Sequence, residues 1–508
     1  MQSMTPKIQP RRTSSTPRSP RRANLETEAL LSEANDLLFL AERIESGAIR
    51  PVAGLDAWKA ELSELITQPT FGALGSEQAL ERLSRELRTL WLRYAQAATD
   101  SCLRSPPADQ QPAVTGLGTA LSFGYERELE PEVLESRCAD FMEVPPGWTA
   151  SHLIFSSGQA TLSAILQASL QMHMTEGDEA VRLLHLGGYF ETQELLDLFE
   201  ARSLTHSRIG ACDLDELPAT LKETDVLLAE VAYCDGALRL LDIGALSRAW
   251  RQSPAKPRLV VFDTTLSGTR FPLETLLGMM SGPAAPVVVC MRSALKLDQA
   301  GLELANAGIC TVLVPANAAQ PLADLPETLR KIRKLTGTSI GLQDMASLEA
   351  PWFLDRLYAS QYCEAVFAHN RRLALSFQPS GGLFADLSHP ALSNDTSPWS
   401  EAPFCILTLN NPTEENYRRL QAILEHEAAA RQLAFSVGGS FGFRGHRFEA
   451  IIPDLPDSPC FLRVALGARG GPSLSGIIGL LNELAACNSL DEFSLSNSPQ
   501  QQASDLEA

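Results

Sequence analysis

The chain reads as an α/β protein in which a large domain, built on a mostly parallel sheet with helices on both faces, carries a smaller α+β domain behind it and a helical extension in front. Three observations predict this. Between residues 151 and 315, short apolar runs alternate with helical stretches, the pattern of strands joined by crossover helices. Ahead of them, leucines recur at helical spacing with no strand pattern among them. Beyond residue 336 a long helical region gives way to a few strand-like runs and two more helices. A chain of 508 residues is long enough for this many parts, each with its own core.

Residues 1–24 are rich in proline, serine and arginine and carry Lys7, Arg11, Arg12, Arg18, Arg21 and Arg22 without an acid. Such a stretch buries nothing, so a disordered basic arm is expected. An organelle transit peptide is the competing reading, and Pro6, Pro10, Pro17 and Pro20 oppose the amphipathic helix it needs. Residues 25–112 form the helical extension. Its first helix is marked by Leu30, Leu31, Leu37, Leu38 and Ala41, its second spans about 55–66, and its third spans 76–98 with Leu80, Leu83, Leu87, Leu90 and Leu92. Leucine stripes of this kind bury against a core or a subunit.

The large domain is expected over 113–345. HLIFS precedes a helix at 159–172, and LLHLG precedes one at 192–200; DVLLAEVA, RLVVFD, PVVVCM and GICTVLV supply further strands. The smaller domain, 346–487, opens with a long helical region over 348–377 and continues through FCILTLN, a helix at 414–431, AFSV, FLRVALG and a last helix at 474–486. A polar tail, 488–508, ends the chain.

Composition excludes several classes. The net charge is −19, and the body without its basic arm is more acidic still, which disfavours nucleic acid as a partner. No apolar run approaches the ~20 residues of a membrane span, and no apolar signal core follows a charged leader, so a cytoplasmic protein is expected. The ten cysteines show no CxxC pair and no cysteine-histidine cluster at zinc spacing, so free thiols and no metal are expected.

Against that background a few residues stand out. Lys296 follows the apolar run at 287–290, and the carboxyl end of a buried parallel strand is where open α/β sheets bind ligands. A lysine desolvated there loses its proton and attacks carbonyls. Ser157, Gly158 and Gln159 place backbone N–H groups at a helix start, an anion site that suits phosphate. Tyr189 ends the strand of LHLGGYFET, where an aromatic stacks on a flat ring or simply packs. Asp263 ends RLVVFD, and a carboxylate behind three apolar residues needs a partner, either a local helix cap or a cation such as a protonated pyridine nitrogen. Arg463 sits inside FLRVALG, where a guanidinium either grips a carboxylate ligand or forms an internal salt bridge.

In their order along the chain, Gly158, Tyr189, Asp263, Lys296 and Arg463, the groups resemble those of fold-type I pyridoxal-phosphate enzymes, most closely the cysteine/methionine-metabolism family that includes cystathionine synthases and lyases. The resemblance covers roughly residues 120–486. SSGQATLSAIL is similar to the family's Ser-Ser-Gly-Met phosphate loop, and GGYFET to the stretch whose tyrosine stacks on the cofactor. VVFDTTLSG resembles the strand whose aspartate meets the pyridine nitrogen, with Thr265 two places on. RSALK resembles Ser-x-Thr-Lys, which implies that Lys296 forms the internal aldimine and Ser293 touches phosphate. FLRVALG resembles Leu-x-Arg-x-Ser-x-Gly, which implies that Arg463 takes the substrate carboxylate, and SVGGSFGF aligns a family serine with Ser436 or Ser440, Ser440 preferred. Tyr125 and Arg127 resemble a Tyr-Ser-Arg motif that reaches the phosphate of a neighbouring subunit, which implies a homodimer or homotetramer.

The resemblance therefore implies pyridoxal 5'-phosphate as cofactor, an amino acid as substrate, and β- or γ-elimination or replacement as reaction, with Lys296 and Tyr189 catalytic. Departures exist. Leu295 stands where the family has threonine, Cys234 and Asp235 where it has Asn-Pro, and Leu129, Glu130 and Pro131 where it has Asn-Pro-Thr. An aminotransferase or decarboxylase of the same fold is the alternative, although Tyr189 and Leu295 occupy positions where decarboxylases carry histidine. A non-catalytic assembly subunit retaining the fold is the reading from another class.

Overall fold

The structure, a computed structural model, describes residues 20–174, 180–200, 204–209, 216–234, 236–318, 321–379, 381–393, 397, 399–453 and 459–492. The expected basic arm up to residue 19, Asp235 and the tail from residue 493 lie outside the described residues.

Seven strands make the large sheet: β1 (Trp148–Phe155), β2 (Val181–Leu186), β3 (Leu204–Ile209), β4 (Val226–Glu230), β5 (Leu259–Asp263), β6 (Val287–Ser293) and β7 (Gly308–Pro315), in the spatial order β1-β7-β6-β5-β4-β2-β3. Every pairing is parallel except those of β7, which runs antiparallel to both β1 and β6. The unbroken apolar runs follow from burial on both faces. Val226, Leu228, Leu259, Val261, Val287 and Val289 pack into one core, whereas Leu227, Ala229, Val260, Phe262, Val288 and Cys290 pack into another on the opposite face. Strand β7 reverses because residues 294–307 return from β6 without a crossover helix, and a parallel strand needs such a connection. That helix-free return carries Lys296.

The smaller domain holds five strands, β8 (Phe384–Ser388), β9 (Cys405–Leu409), β10 (Phe435–Val437), β11 (His446–Ile451) and β12 (Phe461–Ala465), in the order β8-β9-β12-β11-β10. The helical region expected over 348–377 holds the helix Arg356–Ser376, with a separate helix, Leu342–Leu348, ahead of it. Pro351 lies between them, Leu354 takes a left-handed φ of 63°, and the Asp355 side chain caps the second helix by accepting from Tyr358 N at 3.0 Å.

The extension consists of α1 (Pro20–Gly47), α2 (Leu55–Thr67) and α3 (Leu74–Gln96). Helix α1 takes in residues 20–24, which composition assigns to the arm; proline costs no hydrogen bond in a first turn. The three helices share one continuous core with the rest: Leu37, Leu62, Leu87 and Trp91 pack in the same cluster as Leu297, Trp352, Phe353 and Tyr362. Arg88 on α3 donates to the Glu303 carbonyl at 3.0 and 2.8 Å, inside the return loop. The extension thus forms the back wall of the segment that presents Lys296. Among the described residues no helix is long and apolar enough to cross a membrane.

Candidate active site

At the carboxyl ends of β4, β5 and β6 lies a cavity of about 420 Å³, lined by both domains. Ser157, Gly158, Gln159, Tyr189, Asp263, Thr265, Ser293, Lys296, Ser440 and Arg463 all face it. Three larger hollows, of about 540, 630 and 500 Å³, contain neither Lys296 nor Asp263.

Lys296 is held by a loop whose own polar groups fix its shape. Buried Gln299 accepts from Leu304 N at 2.6 Å and donates to the Ala305 carbonyl at 2.6 Å. Arg292 is buried at the end of β6 and pairs with Asp298 at 3.0 Å. Gly301 has φ 67°, and an added Cβ there would lie 2.5 Å from Arg444 N, so only glycine fits. Behind Lys296, Leu297 is buried; in front, the amine donates to Ser440 Oγ and sits 5.4 Å from the Phe441 ring centre. Ser440 holds a left-handed φ of 72°, a strained backbone that aims its hydroxyl at the amine. Burial first, and the positive Arg463 second, lower the Lys296 pKa to about 8.

Asp263 closes β5 beside Glu230 at the end of β4, the two being register neighbours. Its Oδ1 accepts from Thr265 N at 2.9 Å, the local capping contact that the sequence left open. Burial nonetheless raises its pKa to about 6, against the lowering effect of the Thr265 hydrogen bonds. A carboxyl raised in this way is stabilised by any cation placed before it.

Gly158 starts the helix Gly158–Met174 on the opposite side of the cavity. A Cβ on it would lie 3.2 Å from Ser293 Cβ, so glycine at 158 lets the helix start and the end of β6 approach closely without displacement. The result is a cradle of helix-start N–H groups beside the Ser293 hydroxyl, with Thr265 Oγ1 accepting from Ser293 N at 3.0 Å. Buried Gln159 Oε1 has no hydrogen-bond partner. Leu295 also lines the cavity, an apolar side chain where the resembled family has a hydroxyl.

Tyr189 is positioned by a residue that the sequence reading passed over. Buried Glu230 accepts from Gly188 N at 2.9 Å and Tyr189 N at 3.1 Å, and meets His185 Nε2 at 3.0 Å. The signal was present: Glu230 ends VLLAE as Asp263 ends LVVFD. Glu191, Asn306, Phe404 and Glu449 also line the cavity and were not singled out. Glu449 is the most consequential, because Arg463 Nη2 donates to its Oε2. Arg463 therefore faces the cavity and makes an internal ion pair at once, combining the two alternatives.

Tyr125 and Arg127 are not brought to this cavity. They lie on the surface, with Tyr125 54% exposed and the Arg127 guanidinium 5.5 Å from its ring centre. Ser436 is exposed on β10, away from the lining.

The donor set fits pyridoxal phosphate: an anion cradle, a flat aromatic, a desolvated carboxyl and a part-deprotonated lysine share one hollow of suitable size. No protein-family model matches the chain, and no curated protein matches it in sequence. Solved structures do match. A methionine gamma-lyase from Micromonospora echinospora superposes with TM-score 0.53 at 18% identity, over 78% of this chain and 98% of that one. MetB from Corynebacterium glutamicum gives TM-score 0.53 at 16% identity, over 78% and 98%. Cystathionine gamma-lyase from yeast gives 0.51 at 14% identity, over 80% and 98%. The chain has the fold of these proteins, the fold-type I architecture of pyridoxal-phosphate enzymes.

Proposed function

We propose that this protein is a pyridoxal-phosphate-dependent lyase or transferase acting on an amino acid by β- or γ-elimination or replacement. The observation that carries the reading is that Lys296, Asp263 and the Gly158 cradle all line one cavity. The choice of elimination or replacement rests on the resemblance in RSALK, VVFDTTLSG and FLRVALG together with the shared fold.

The geometry supports a role for each residue. Ser157, Gly158, Gln159 and Ser293 would hold the phosphate, Tyr189 would cover the ring, and Asp263 would keep a proton on its nitrogen, with Thr265 steadying the carboxylate. Bound there, the cofactor supplies an electron sink next to the substrate's α-carbon. Lys296, its pKa lowered to about 8, is the base that takes and returns protons at that carbon. Ser440 orients the lysine amine, and Arg463 receives the substrate carboxylate. Exposed Tyr125 and Arg127 would reach the phosphate of a second copy, making the working unit a homodimer or larger. A cytoplasmic setting is in keeping with the free state of the described cysteines.

The test is spectroscopic. Added pyridoxal phosphate should give a visible band on the wild type that is absent in Lys296→Ala. Its rate of appearance should rise with pH to a plateau above about 8, as the amine of lowered pKa loses its proton. A wild type that stays colourless with added cofactor would instead favour the non-catalytic assembly subunit.

A further inference from the structure

Arg463 does not stand free in the cavity. It lies on β12 opposite Glu449 on β11 in the antiparallel register, so the two side chains are neighbours by backbone placement and not by a chance rotamer. Both line the cavity, and the guanidinium donates to the carboxylate. The pair is unevenly buried: the Arg463 side chain is 12% exposed and that of Glu449 32%, so the carboxylate is the end able to turn toward water. Phe404 stands 5.8 Å from the guanidinium carbon on the apolar side. An added Cβ at Gly439 would lie 3.4 Å from Glu449 Oε1, which places the carboxylate over the turn leading to Ser440. Lys296 and Arg463 are the only lysine and arginine among the lining residues, and the Lys296 amine is engaged by Ser440. A carboxylate arriving at Arg463 therefore meets one already there.

Resting on the function proposed above, we propose that Glu449 is a specificity-determining residue: a carboxylate of the protein's own that competes with the ligand's carboxylate for Arg463. It weakens the binding of free α-amino acids while leaving that of the corresponding amines untouched. The pocket accordingly discriminates between an amino acid and its decarboxylated counterpart far less than an unpaired arginine would.

The test uses cofactor-loaded full-length protein and two probes that differ only in the carboxylate, L-norleucine and pentylamine, with binding read by calorimetry and by the shift of the visible band. Glu449→Gln keeps the shape and removes the charge; it should bind L-norleucine about tenfold more tightly and pentylamine within twofold of the wild type. Glu449→Ala, a second variant should the first fold poorly, should move the two affinities in the same sense. Unchanged or weaker L-norleucine binding in the folded variants, or equal changes for both probes, would overturn the proposal while the Lys296-dependent band keeps the cofactor reading intact. Absence of that band in the wild type overturns both.

Discussion

Two arginine–glutamate pairs, one on each side of the smaller domain, show how differently the same chemistry is used. In the seam with the helical extension, Arg469 Nε donates to both oxygens of Glu33 at 3.0 and 2.8 Å, and the two side chains are 1% and 5% exposed. Asp36 meets Arg444 at 2.5 Å nearby, and Glu77 accepts from Ser473 N at 2.9 Å at the start of the helix Pro472–Ala485. In the cavity, Arg463 and Glu449 make a single contact with one end open to water. A buried, multiply bonded pair holds two parts of the chain in place, whereas a singly bonded pair at the edge of a hollow is free to exchange partners.

The largest expected difference comes from breaking the two arginines. Arg469→Ala leaves Glu33 buried without its partner and should lower unfolding free energy by about 3–5 kcal/mol in urea titrations. Arg463→Ala releases a carboxylate that already reaches water, so it should cost about 1 kcal/mol or less while abolishing the preference for carboxylate-bearing ligands. Equal destabilisation by both would erase the distinction.

A smaller effect separates the regions by pH. Burial raises the Glu77 pKa from 4.5 to about 7. The folded state holds that proton more tightly than the unfolded one, so stability falls as pH rises through the window between those values. Below it the carboxyl is neutral in both states and the penalty vanishes. The loss should reach about 3 kcal/mol once pH exceeds the upper value. Glu77→Gln should flatten this dependence in melts from pH 4 to pH 8, and a variant with the wild-type slope would remove Glu77 as its cause.

The same contrast explains what the sequence could reveal. Strand ends were legible because burial on both faces demands unbroken apolar runs, and a polar residue that ends such a run, like Asp263, marks a crevice. Glu230 ends VLLAE under the identical rule and carries the same signal. Glu449 was beyond reach: nothing in HRFEAI says that it will face FLRVA in register, since pairing between strands is decided by tertiary packing. Pro351 was visible as a residue, and the helix beyond it begins only at Arg356, although the expected helical region reached back to residue 348. The return of residues 294–307 without a helix was likewise present as the lack of a helical pattern, but its reversal of β7 needed the sheet order.

The contact between Glu33 and Arg469 spans 436 positions along the chain. On a ribosome the leucine faces of the first three helices are made early, and their seam partners appear only when almost all of the described chain has emerged. Until then Glu33 lacks its buried partner, and the cavity lacks Ser440, Glu449 and Arg463. Competence to take up a ligand at Lys296 should therefore arise late and all at once, making an incomplete chain a client for chaperones and not a weak enzyme.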